Sequence, residues 1–149
     1  MNLCPQMEPI IEPAYMLVFI GPFNQPSYQA LTIRNQEQAP VAFKVKTTNN
    51  ARFKIEPAIG IIPGFGEKTV QITCQPFDPQ TEVLRQERFA VFTTYVPDRN
   101  PSASPRAVWQ GPGAQQNLRK ELGVDYMVAV EAPMMSTQQD FLPVEEPRW

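Results

Sequence analysis

Residues 41–63 read VAFKVKTTNNARFKIEPAIGIIP, and this stretch decides the fold. In its first seven residues, apolar side chains at every second position alternate with Lys44 and Lys46. Successive side chains of a β-strand point to opposite faces, so this period of two predicts a strand with one buried and one exposed face. The polar run at 48–50 predicts a turn, and the alternation resumes at 53–56.

Similar short patterns extend outward from this stretch in both directions. Apolar or alternating segments recur, separated by turn-forming Gly, Pro, Asn and Asp residues. These segments are 17–20, 28–34, 41–47, 53–56, 68–74, 88–96 and 126–130. Seven short strands with turn signals between them predict an all-β sandwich. Its core should include the side chains of Phe19, Phe43, Phe89 and Val91.

The single predicted helix covers Gln115 to Leu122 (QQNLRKEL) and ends before Gly123. A proline-rich segment from Pro97 to Pro112 precedes this helix and is predicted to be a loop. Trp109 lies in that loop, and two interpretations stay open for it. Its ring packs back on the sandwich, or it anchors a partner.

The length of 149 residues suits one domain. We expect an N-terminal tail over 1–13, the β-sandwich domain over 14–132 and an acidic C-terminal tail over 133–149. Seventeen prolines spread along the chain exclude a helical bundle, because proline breaks helix interiors. A hydrophobic content of 42% disfavours a disordered chain.

Composition also excludes several kinds of chemistry. The sequence contains no histidine, which excludes catalytic triads built on histidine and zinc sites with histidine ligands. Its two cysteines, Cys4 and Cys74, are too few for a Cys4 metal site, and we expect idle thiols rather than a disulfide. No phosphate-binding glycine loop is present, so neither an enzyme nor a cofactor is expected.

Charge and hydropathy limit the kinds of partner and the cellular location that we expect for the protein. A net charge of −2 disfavours nucleic acid as a partner. No apolar run approaches the roughly 20 residues of a membrane span, so no membrane insertion is expected. The N-terminus lacks the features of a signal peptide. The sequence therefore predicts a cytoplasmic protein.

The charged side of the strand in 41–47 is a candidate binding surface. Lys44 and Lys46 should lie on one face, about 6–7 Å apart along the strand. Two like charges this close favour an acidic partner, and the hydroxyls of Thr47 and Thr48 could bind carboxylate or phosphate. The alternative is that the lysines only keep an exposed strand soluble.

The order of several motifs resembles the major sperm protein (MSP) domain, an immunoglobulin-like sandwich shared by nematode sperm cytoskeletal proteins and VAMP-associated proteins (VAP). FKVKTT followed by the Pro-x-x-Gly-Ile-Ile segment is the most specific of these motifs. The matching blocks are 19–23 (FIGPF), 31–35 (LTIRN), 41–48 (VAFKVKTT), 55–63 (IEPAIGIIP), 75–79 (QPFDP) and 88–91 (RFAV).

The resemblance implies a seven-stranded immunoglobulin-like sandwich that works as a non-enzymatic binding module. VAP-type domains hold acidic, phenylalanine-containing peptides called FFAT motifs on one sheet face. The positions that match the peptide contacts are Lys44, Lys46, Thr47, Thr48, Arg88 and Ala90. The family usually has methionine where this chain has Ala90, so an apolar wall of that site is missing.

Two functions stay open under this resemblance. The first is a sperm-type cytoskeletal or motility-associated protein that self-associates, with a homodimer as its simplest assembly. The alternative is a VAP-like adaptor that binds acidic or phosphorylated FFAT-like peptides. The coiled coil and membrane anchor of VAP proteins are not found in this sequence, which favours the first.

Overall fold

The fold is a sandwich of two β-sheets, seen in a computed structural model that describes residues 7–81, 86–115 and 117–128. The described strands are β1 (Ile10–Glu12), β2 (Met16–Ile20), β3 (Ser27–Arg34), β4 (Val41–Thr47), β5 (Phe53–Glu56), β6 (Ile59–Ile62), β7 (Glu67–Cys74), β8 (Arg88–Tyr95) and β9 (Leu118–Met127). One short helix, α1 (Pro105–Gln110), and two 3-10 turns, Pro97–Arg99 and Pro112–Gln115, complete the described elements.

The two sheets contain four and five strands. Their orders are β1-β3-β7-β5 and β2-β9-β8-β4-β6. The pairing is antiparallel throughout except between β2 and β9, which run parallel. This mostly antiparallel sandwich confirms the predicted all-β, immunoglobulin-like fold class.

The core lies between the sheets and consists of the alternate side chains that the sequence pattern selects. Phe19, Phe43, Phe89 and Val91 are all buried, as predicted. The Phe53 ring lies between two of them, with its centroid 5.3 Å from that of Phe19 and 4.9 Å from that of Phe89. Cys74 is a buried thiol, and burial raises its pKa. These packed aromatic rings connect the two sheets.

The described chain has nine strands where the sequence pattern predicts seven. β1 lies inside the segment 1–13 that was expected to be a tail, and it pairs with β3 so that Ile11 is buried opposite Ile33. β6 pairs with the outer edge of β4. Strands of three or four residues are too short to show a clear alternation in the sequence. Cys4 and the expected acidic tail over 133–149 lie outside the described residues.

The predicted helix over Gln115 to Leu122 is wrong. The segment from Leu118 onward is instead β9, which lies between β2 and β8 and buries Leu122 in the core. Its residues have good helix propensity, but pairing with two neighbouring strands outweighs a preference of a few tenths of a kcal/mol per residue.

A short helix forms in the segment that was predicted to be a loop. Ser104 caps α1, and its side-chain oxygen accepts a hydrogen bond of 3.3 Å from the backbone N–H of Ala107. Pro105 takes the first helical position, where its missing N–H costs nothing. Among the described residues, no helix has the length and apolarity needed to cross a bilayer.

Candidate functional site

The candidate site is the outer face of three neighbouring strands, β4, β8 and β9. We call it the basic face, and it consists of Lys44, Lys46, Arg88, Ala90, Phe92, Arg119 and Glu121. Several side chains beside them in sequence are buried in the core, among them Val45, Phe89, Val91 and Leu122, and this set lies on the opposite face.

The strand register arranges the basic face in rows across the sheet. One row runs from Lys46 through Ala90 to Glu121. The next row runs from Lys44 through Phe92 to Arg119. All six residues predicted from the sequence, Lys44, Lys46, Thr47, Thr48, Arg88 and Ala90, therefore lie on or beside one surface.

Lys44 is held by aromatic rings. Its Nζ lies 5.5 Å from the centroid of the Phe92 ring and 4.7 Å from that of the Trp109 ring. Partial burial, and secondarily the charge of Lys46, lower the pKa of Lys44 from its ordinary value. Lys46 is exposed and, within the described parts of the chain, forms no ion pair. Lys46 is thus the more accessible of the two ammonium groups.

The two threonine hydroxyls contact the backbone at the start of β8. Thr47 Oγ1 donates to the carbonyl oxygen of Arg88 at 3.2 Å, and it accepts from the N–H of Asn49 at 3.3 Å. Thr48 Oγ1 accepts from the N–H of Arg88 at 3.0 Å. The two threonine side chains therefore hold the backbone at Arg88, and their contact with a ligand stays a prediction.

Arg119 and Glu121 belong to the site but were not predicted. Glu121 forms ion pairs with both arginines, at 3.3 Å to Nη1 of Arg88 and 2.5 Å to Nη2 of Arg119. Both residues were missed because their segment was interpreted as a helix. An alternating pattern read backward from Tyr126 through Val124 and Leu122 could have placed them on the outer face.

Two other basic residues near β4 in the sequence lie away from the basic face. Arg52 is buried, its Nε is 3.8 Å from a carboxylate oxygen of Glu87, and its guanidinium lies 3.9 Å from the centroid of the Phe77 ring. Lys54 lies on β5 in the other sheet and pairs with Glu56 at 3.5 Å. The positive charge of the basic face thus comes from fewer residues of this segment than the sequence suggests.

A buried polar cluster supports one end of the basic face. Glu87 accepts hydrogen bonds from the hydroxyl of Tyr126 and, at 2.6 Å, from the side-chain amide of Asn49. Burial, and next the bond to Glu87, raise the pKa of Tyr126. Since Tyr126 is on β9 and Asn49 follows β4, this cluster ties together the outer two of the three strands that carry the face.

Trp109 borders the basic face from α1. Its indole N–H donates to the carbonyl oxygen of Phe43 on β4 at 3.0 Å. The ring also packs against the small cluster of Ala42, Val96 and Val108 between α1 and the sheet. Of the two interpretations left open by the sequence, the structure supports packing on the sandwich.

A separate apolar cleft of about 280 Å³ opens at one end of the sandwich. In its lining, the hydroxyl of Tyr95 donates to Glu37 at 2.5 Å. Burial, and next the bond to Glu37, raise the pKa of Tyr95 to about 12. Among the described residues, no cluster of three or more Cys, Asp or Glu side chains could hold a metal ion.

The sequence matches the profile of the MSP (Major sperm protein) domain over residues 10–132. The chain belongs to the MSP domain family. Vesicle-associated membrane protein-associated protein A of Homo sapiens is 34% identical to this MSP domain over 101 residues, which are 68% of this chain and 40% of that protein. The chain thus spans less than half the length of that relative.

A second relative is similar over most of its own length. Major sperm protein isoform alpha of Ascaris suum is 26% identical over 115 residues, which cover 77% of this MSP domain chain and 89% of that protein. Among solved structures, the MSP family member WR4 of C. elegans superposes with a TM-score of 0.60 at 18% identity, covering 78% of this chain and 96% of WR4. The latter likeness shows the fold.

Proposed function

We propose that this MSP domain is a non-enzymatic protein-interaction module that binds an acidic segment of a partner on the basic face. The observation that carries this proposal is the placement of four cations, Lys44, Lys46, Arg88 and Arg119, on three adjacent strands. Within the described residues, Glu121 is the carboxylate that forms ion pairs with this group. The surface is therefore positive although the whole chain carries a charge of −2.

The shape of the basic face suits an extended peptide segment of a partner. Ala90 lies between Lys46 and Glu121 in the sheet and leaves a low point there, which the larger methionine usual in the family would fill. Phe92, flanked by Lys44 and Arg119, offers the partly exposed apolar group of the surface. We expect acidic side chains to pair with Lys46 and Arg88, and an aromatic side chain to contact Phe92.

A charge-reversed variant tests this proposal. Lys46→Asp combined with Arg88→Asp should weaken binding of a labelled peptide carrying two phenylalanines among acidic residues by at least about tenfold, because attraction becomes repulsion. The matched control is Lys54→Asp combined with Lys68→Asp, which makes the same charge change at exposed positions of the other sheet. Fluorescence anisotropy gives the affinities, and circular dichroism checks folding.

Two results would overturn the acidic-segment proposal. One is that the unaltered protein shows no binding to such peptides at submillimolar concentration. The other is that both double variants lose affinity equally, because the effect would then come from net charge alone. In either case the basic face would serve only to keep the sheet surface soluble.

Self-association is a second candidate, supported by exposed apolar side chains at the edge of the five-stranded sheet. β2 forms this edge, and among the described residues no further strand pairs with its outer side. The exposed apolar side chains are Tyr15, Met16, Ile20, Met127 and Val128. Such clusters often mark protein interfaces. Together with the likeness to the major sperm protein of Ascaris suum, association of copies there would support a sperm-type cytoskeletal or motility-associated role in the cytoplasm.

Light scattering coupled to size-exclusion chromatography measures the mass of the protein in solution and thereby tests self-association. We expect a dimer at micromolar concentration, converted to monomer by Ile20→Lys combined with Met127→Lys. A protein that stays monomeric at high concentration contradicts self-association. Running the column with and without the acidic peptide shows whether the two interactions use separate surfaces.

A further inference from the structure

We infer that Glu121 is a built-in competitor: its carboxylate occupies Arg88 and Arg119 and thereby sets how strongly the basic face binds an acidic segment. This inference rests on the proposed function of that face. It assigns to one residue of β9 the control of affinity and of the number of acids a partner must supply.

Glu121 lies between two of the four cations of the basic face, Arg88 and Arg119. Across the sheet it faces Ala90, whose other neighbour is Lys46. Arg119 precedes it by two residues on the same face of β9, and Arg88 is its diagonal neighbour on β8. One carboxylate oxygen contacts each arginine, so a single side chain engages both guanidinium groups.

The exposure of these side chains makes the ion pairs exchangeable. Glu121 is 41% exposed, and Arg88 and Arg119 are 51% and 58% exposed. Ion pairs of this kind contribute little to stability, so a ligand can displace them. Glu121 therefore lowers the affinity for acids without blocking the surface.

A partner carboxylate that reaches Arg88 meets two costs. It must replace an existing ion pair, and it lies next to the negative charge of Glu121. A segment with one acid gains little from this exchange. A segment with several clustered acids also reaches Lys46 and Lys44, which Glu121 does not contact, and therefore binds more strongly.

Glu67 provides a matched control on the other sheet. It lies on β7, and its Oε1 forms an ion pair of 3.2 Å with Nε of Arg34. The side chains of Arg34 and Glu67 are 46% and 55% exposed, which is similar to the exposure of the ion pairs on the basic face. Glu67→Gln therefore removes the same charge and releases an arginine, but on the sheet that does not carry the basic face.

The main experiment compares the affinities of three proteins for one labelled probe at about 150 mM salt, and these are the unaltered protein, Glu121→Gln and the control Glu67→Gln. The probe is a peptide with two phenylalanines among four glutamates, and its copy with glutamines serves as the uncharged reference. Glu121→Gln should bind the acidic probe about three- to tenfold more tightly, and Glu67→Gln should stay within about twofold of the unaltered protein. In a background that carries both Arg88→Gln and Arg119→Gln, the gain from Glu121→Gln should fall below about twofold.

The outcomes separate this inference from the proposed function. If the unaltered protein binds the acidic probe and Glu121→Gln changes nothing, the competitor role is wrong while the acidic-segment function stands. An equal gain from Glu67→Gln also overturns it, because net charge then explains the effect. If none of the three proteins binds the probe, both proposals fail. If only the Glu121→Gln variant binds the probe, the competitor role is supported, because Glu121 would then prevent binding in the unaltered protein.

Discussion

Replacement of Trp109 by alanine tests how α1 is attached to the sheet that carries the basic face. The change removes the 3.0 Å hydrogen bond to the Phe43 carbonyl, which contributes about 1 kcal/mol. It also removes the contact with the Lys44 ammonium, worth about 0.5–1 kcal/mol. Loss of the half-buried ring from the cluster between α1 and β4 adds about 1–2 kcal/mol. We expect Trp109→Ala to lower the free energy of unfolding by about 3 kcal/mol.

Urea denaturation followed by circular dichroism measures this loss. With a slope of about 2 kcal/mol/M, the midpoint should fall by about 1.5 M urea. Trp109→Phe keeps a ring but loses the donor, so its cost should be only about 1 kcal/mol. Tyr28→Ala, which truncates an exposed aromatic residue on β3, is the control and should have a small effect. A loss below about 1 kcal/mol for Trp109→Ala would refute the anchoring role of the indole ring.

Two further predictions concern the core and the cleft. Gly60→Ala should destabilise the protein by about 1–3 kcal/mol, because the new Cβ would lie 2.5 Å from the buried Phe43 ring. In a double-mutant cycle, Phe43→Leu should recover part of this loss. Full additivity of the two changes in the free energy of unfolding would contradict the clash. Burial and the contact with Glu37 raise the pKa of Tyr95 to about 12. The protonated Tyr95 hydroxyl therefore stabilises the folded protein fully below about pH 10, the ordinary pKa of tyrosine, and this contribution is lost as the pH rises toward 12. Urea titrations should therefore show the stability advantage over Tyr95→Phe shrinking across this range, and a pH-independent difference would argue against the shift.

The regular strands could be predicted from the sequence because their burial is one-sided. In β4 and β7 every second side chain enters the core, and the alternation of apolar and polar residues records this directly. The same logic placed Lys44 and Lys46 on one face. Short edge strands such as β1 escape prediction, because three residues give no measurable period.

The parts of the site that were missed depend on pairing between distant segments. The alternation from Leu122 to Tyr126 is only a weak local signal for β9, and the neighbours that stabilise this strand, β2 and β8, come from distant parts of the sequence. Once the segment was interpreted as a helix, Glu121 and Arg119 could not be placed beside Arg88. The start of α1, by contrast, had a readable signal in Ser104 followed by Pro105, a typical cap and first helical residue.

The parallel pairing of β2 with β9 has a mechanical consequence. These strands lie near the two ends of the described chain and run side by side from Met16 opposite Gly123 to Ile20 opposite Met127. If the chain is pulled at Met16 and Met127 in opposite directions, the force acts along both strands. The hydrogen bonds between them then bear the load together in shear, rather than breaking one after another as in a peeled hairpin. The parallel pairing therefore resists separation of Met16 from Met127 more strongly than an antiparallel pairing of the same length would.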